Sequence, residues 1–124
     1  MITEREFLRN GERKSELPTQ VQWNMTELLA IMNVFRRWYG KPMIVTSGYR
    51  SPAYNLKIGG SHNSAHCRGR AIDIKDDGTI KQFIKDNIDW CERFGLYFEH
   101  FDHTPTWIHF TTRPPKSGRR FFRP

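Results

Sequence analysis

Cysteine is almost absent from this chain: Cys67 and Cys91 are the only two among 124 residues. One pair does not make a disulfide scaffold, so the fold has to rest on a packed core and needs no oxidising compartment. Long hydrophobic runs are missing too. No stretch approaches the roughly 20 apolar residues that cross a bilayer, and no membrane insertion is expected. The N-terminus lacks the basic-then-apolar pattern of a secretory signal, so the product is expected in the cytoplasm at synthesis. A substrate outside the membrane would require delivery by something else. Negative charge is scarce as well, with 13 Asp and Glu against 20 Lys and Arg. The resulting charge of +7 favours an anionic partner, whether nucleic acid, an anionic polymer or a cell envelope. No helix-turn-helix, zinc-finger or RNA-binding signature is present, and no specific nucleic-acid partner is expected.

What is there is bulky. Aromatic residues make up 14% of the chain, enough core material for one domain of this length. Thr3-Glu4-Arg5-Glu6 has the form of a capping box and predicts a short helix through Phe7 and Leu8. Residues 9–20 are polar and read as loop. Asn24 with Glu27 marks a second helix start, followed by Leu28, Leu29, Ile31, Met32, Phe35 and Trp38 at helical spacing. Gly40 and Pro42 end it. Met43 to Thr46 predicts a strand, residues 47–63 turns and loop, and Ala71 to Lys75 a second strand. Thr79 to Phe94 reads as one helix stopped by Gly95. Leu96 to Glu99 and Trp107 to Thr111 read as strands joined by a seven-residue connection. Residues 111–124 read as an irregular basic tail. With no repeat and no linker, residues 1–124 are expected to form a single α+β domain, a small antiparallel sheet flanked by helices.

The chemistry concentrates in Ser64 to Ile74 and Trp107 to Phe110. His66 and Asp73 lie seven residues apart with Gly69 between them, which allows a tight turn. On a strand, Asp73 shares a face with Ala71 while Ile72 and Ile74 point to the other; Trp107 and His109 likewise share a face opposite Ile108 and Phe110. Catalytic zinc keeps three protein ligands and an open position, and His66, Asp73 and His109 are donors of the right kind. Composition and spacing leave other readings open: hydrogen-bonded histidines, a strand-end carboxylate, or Cys67 as a ligand.

The run Ser64-x-His66-x-x-Gly69-x-Ala71-x-Asp73 resembles the signature of the zinc D-alanyl-D-alanine carboxypeptidases and L-alanyl-D-glutamate endopeptidases, whose fold the hedgehog signalling domain shares. Ser47-Gly48-Tyr49-Arg50-Ser51-Pro52 with Asn55, then Gly59-Gly60-Ser61-x-Asn63-Ser64, is similar to the same family's pattern, and Trp107-Ile108-His109 resembles its final ligand strand. The similarity runs from about Asn24 to Phe110. The resemblance implies a hedgehog/peptidase-like zinc fold, with His66, Asp73 and His109 holding Zn2+. It implies that Arg50 and Tyr49 meet substrate, and that Ser64 orients His66 or meets substrate. The substrate implied is the stem peptide of peptidoglycan, cut at a terminal D-Ala-D-Ala link or an internal L-Ala-D-Glu link. The size and tail look like bacteriophage members, so a monomeric enzyme acting at the wall after release is expected.

One position departs from the pattern. Many family members carry Glu or Asp three residues before the final histidine, where this chain has Thr106. A hydroxyl does not accept a proton from a metal-bound water near neutral pH. Some hedgehog-like relatives place the acidic residue further upstream, which makes Glu99 the first candidate base here, ahead of Asp102 and His103. The rival expectation is a zinc-stabilised module that lacks a base and binds wall or protein.

Overall fold

Alternation along Ala71–Lys75 sets the middle of the molecule. In the computed structural model, which describes residues 1–124, this segment is strand β2, and Ile72 and Ile74 are wholly buried. Strand β4, Trp107–Thr111, pairs antiparallel with it and buries Ile108 and Phe110 beside them. The period of two thus gives both strands one apolar face and leaves Asp73 and His109 on the other.

Around this pair the sheet runs β1-β2-β4-β3-β5, with β1 at Val45–Ser47, β3 at Tyr97–Glu99 and β5 at Phe121–Phe122. Its first four strands pair antiparallel as expected, whereas β5 joins β3 in parallel. The C-terminal segment is therefore not wholly irregular. Two phenylalanines in a Pro-, Gly- and Arg-rich stretch carry no strand pattern of their own, and the pairing comes from the exposed edge of β3.

Helix α1, Glu4–Phe7, has the predicted capping box between Thr3 and Glu6. Helix α2 spans Thr19–Tyr39 and starts five residues before Asn24. Val21 and Met25 extend its buried stripe of Leu28, Leu29, Met32 and Phe35, and this longer stripe decides where the helix begins. Asn24 instead donates from Nδ2 to Arg68 O at 2.9 Å. Phe35 meets Phe110 edge-on, with centroids 5.3 Å apart, which seats α2 on the apolar face of the sheet. Pro52–Lys57, expected as loop, is a short helix α3, N-capped by Ser51 Oγ and with proline in its first turn. Thr79 to Phe94 is two helices, α4 at Thr79–Asp86 and α5 at Ile88–Arg93. Asn87 leaves helical geometry between them, at φ −132°, and its Nδ2 donates to Phe83 O.

Candidate metal centre

Two local devices place His66. A 3-10 turn at Ala65–Arg68 begins at Ser64, whose Oγ accepts from His66 N at 3.2 Å. It ends at Gly69 with φ +71°, where a Cβ would come within 2.9 Å of Val21 O, so glycine is required both by the turn and by the approach of α2. The chain then enters β2 and presents Asp73. Register does the rest: Asp73 stands directly opposite His109 on β4.

The cluster is tight. His109 Nδ1 lies 2.9 Å and His66 Nε2 3.3 Å from Asp73 Oδ1. One donor atom from each of the three residues falls within 4.8 Å of the others. His66 Nδ1 is 2.7 Å from Gly48 O, and because a carbonyl only accepts, the proton sits on Nδ1 and leaves Nε2 as a lone-pair donor facing Asp73. Gly48 is held there by the backbone of α1: Tyr49 N donates to Phe7 O, and a Cβ on Gly48 would overlap that oxygen.

Burial disfavours charge on His66 and pushes its pKa down, against the pull of Asp73, with His109 and Arg50 adding to the depression. Burial alone would raise the Asp73 carboxyl. The hydrogen bond from His109 Nδ1 and the closeness of the His66 ring outweigh it and hold Asp73 well below the ordinary carboxylate range. An ionised carboxylate beside a neutral imidazole with a free Nε2 lone pair is a state in which Asp73 and His66 can take a divalent cation without first losing protons. Two nitrogens and one carboxylate oxygen are a donor set that suits zinc. The residues present fit the metal.

Arg50 is tied into the same cluster. Its Nη2 lies 3.7 Å from Asp73 Oδ2, Nε donates to Ser47 Oγ and Nη1 to Asn55 Oδ1. Ser47 reaches this position through a bulge in β1, which brings it opposite Asp73 after Val45 has paired with Ile74. Asn55, 1% exposed, also donates to Ser61 O, and Gly60 passes so close that a Cβ would strike its amide oxygen. Ser47 and the Asn55 latch were not assigned roles from the sequence. Asn55 and Ser61 stand within the family-like pattern, whereas nothing in the sequence marks the bulge.

Extending the β3–β4 register by one residue beyond the Phe98–Phe110 pair sets Glu99 opposite His109, so Asp73, His109 and Glu99 form a row across one face of the sheet. Glu99, His109 and Ser64 line one cavity of about 320 Å³. None of the ion pairs in the chain engages Glu99. Asp102 and His103 are placed differently. Asp102 is exposed and paired with His100 and Arg123, whose Nη1 also donates to His103 Nε2; neither residue lines this cavity. Thr106 lies on the other side of Asp73, in a cavity of about 480 Å³ shared with Ser47, Lys75 and Trp107. Tyr49 is 5% exposed and belongs to the hydrophobic core, and burial raises its pKa first, followed by Cys67 and Glu12. Cys67 is half-buried, and burial pushes its thiol up as well.

A mixed sheet that carries an aspartate and a histidine on facing strands, with a second histidine brought in by the turn before them and an open cleft alongside, defines a zinc-metallopeptidase type of fold and site. The Peptidase M15 family matches residues 2–111, and the chain belongs to that family. No curated protein and no solved structure gave a match to it.

Proposed function

We propose that this protein hydrolyses a peptide bond in the stem peptide of bacterial peptidoglycan, with zinc held by His66, Asp73 and His109. The observation that carries the reading is the row Asp73–His109–Glu99, which sets an unpaired carboxylate next to the ligand His109, in a cavity that Glu99 and His109 both line. A zinc ion bound there would acidify water and polarise the scissile carbonyl. The chain's own groups do the rest. The Glu99 carboxylate takes the proton of the attacking water and passes it to the departing amine nitrogen as the C–N bond breaks. The Arg50 guanidinium, fixed by Ser47 and Asn55, offers its fork to the carbonyl oxygen or to a substrate carboxylate. Ser64 holds His66 in place. Synthesis in the cytoplasm and action at the wall after release, as in phage-mediated lysis, belong to the same proposal.

The presence of Thr106 where relatives carry an acid favours a second reading, a zinc-stabilised module without turnover. Elemental analysis together with release of amino groups from purified wall separates the two. Stoichiometric zinc with turnover that Glu99→Gln abolishes supports the hydrolase; zinc with equal, negligible release by both proteins supports the module.

A further inference from the structure

The cavity beside the metal ligands has a wall built by residues 113–124, which lie beyond the segment that matches the family. Arg113, Pro115, Phe122 and Pro124 line it together with Ser64 and Glu99, and Phe122 is the register neighbour of Glu99. This segment is fastened to the sheet. Phe98 N donates to Arg120 O and His100 N to Phe122 O, the ladder of β5 on β3. Arg120 donates to Leu96 O and lies over the Tyr97 ring, with its guanidinium carbon 4.2 Å from the centroid. Phe121 packs on Phe98 and Phe101, with centroids 5.5 and 5.1 Å away. Phe122 faces the opposite way and meets His109 edge-on at 6.0 Å.

Arg113 supplies the charge in this wall. Its Nη1 donates to Asn63 O, and none of the chain's ion pairs includes it. Arg113 is half-buried, and the charges of Arg70 and Arg68 act on it in the same sense as its own burial, against its positive form. A guanidinium in a positive corner, with no carboxylate of its own, is matched by an anion brought in by the ligand.

We propose that this C-terminal wall determines specificity: Phe122 flanks the scissile region next to His109, and Arg113 receives a carboxylate of an acidic peptide substrate. The inference rests on the hydrolase reading for the word substrate, but the recognition it describes can be read by binding alone. The stem peptide offers two such carboxylates, the α-carboxylate of its D-Glu and the C-terminal one.

The test measures binding of L-Ala-γ-D-Glu-L-Lys-D-Ala-D-Ala to the zinc-loaded full chain, beside two versions in which one or the other carboxylate is amidated. Calorimetry gives the affinities, and elemental analysis and thermal melting check that each variant is folded and loaded. Amidation of one carboxylate should weaken binding to the wild type by about ten- to a hundredfold, the range for loss of a hydrogen bond to a charged group. Arg113→Gln should bind all three peptides equally, Arg113→Lys should keep part of the preference, and Phe122→Ala should weaken all three. Equal affinity of the wild type for the three peptides, or a preference that survives in Arg113→Gln, overturns the proposal. Binding with the expected preference but no cleavage would count against the hydrolase reading and leave this inference standing.

Discussion

Asp73 illustrates how much one residue of this site has to reconcile. It is buried, accepts from His109 Nδ1, lies beside the His66 ring and faces a guanidinium, and these neighbours outweigh its desolvation. Its folded pKa lies below the unfolded one, so its contribution to stability is present above about pH 4 and is lost as pH falls through the folded value. His66 acts in the same direction from another cause. Its depressed pKa means that the unfolded chain binds the proton first, so stability rises with pH up to about 6.5. The metal-free protein should therefore lose melting temperature steadily from neutral pH into acid, and in Asp73→Asn the part of that loss below about pH 4 should shrink. Glu99→Gln probes chemistry without touching a ligand. Turnover should fall by about 10²–10⁴ with zinc content unchanged, the range for loss of a general base. Equal zinc with undiminished turnover would move the base elsewhere.

At the scale of elements, legibility followed periodicity. The strands Ala71–Lys75 and Trp107–Thr111 stand where alternation puts them, and with them the facing of Asp73 and His109. Helix α2 was legible as a stripe but not in its start, because Pro18 gives no side-chain cap to signal it. The bulge before Ser47 and the pairing of Phe121–Phe122 had no local signal and are imposed by neighbours distant in sequence, whereas the break at Asn87 is local, with its side chain donating to Phe83 O. The same division holds in the site. His66, Asp73 and His109 came from motif and alternation, whereas the Ser47–Arg50–Asn55–Ser61 chain depends on loops folding back on one another. Gly69 joins the two kinds of information, since its left-handed turn is local and its contact with Val21 is tertiary. Gly69→Ala should destabilise the fold by about 1–3 kcal/mol in denaturant titration and lower zinc affinity with it. An unchanged midpoint would mean that the turn relaxes without cost.

The whole molecule carries a formal charge of +7 and one hydrophobic cluster behind the sheet. The charge gives the anionic wall polymer a long-range attraction, so retention on purified peptidoglycan should drop sharply at about 1 M salt, where the Debye length is about 3 Å. Retention that ignores salt would assign binding to the cleft alone. Cys91, wholly buried in the core, has its thiol pushed up to about 12, chiefly by burial. The unfolded chain therefore ionises this thiol first, and stability should fall as pH climbs from about 9 towards 12. A Cys91→Ala variant, less stable at neutral pH, should show a weaker alkaline loss.

The central claim, that a zinc site formed by His66, Asp73 and His109 works with Glu99 to cut a stem peptide, is tested most directly by mass spectrometry of purified cell wall after digestion. The zinc-loaded protein should release fragments with new amino termini from one type of peptide bond, and Glu99→Gln, equally loaded, should release almost none. Stoichiometric zinc with no new termini from the wild type would contradict it.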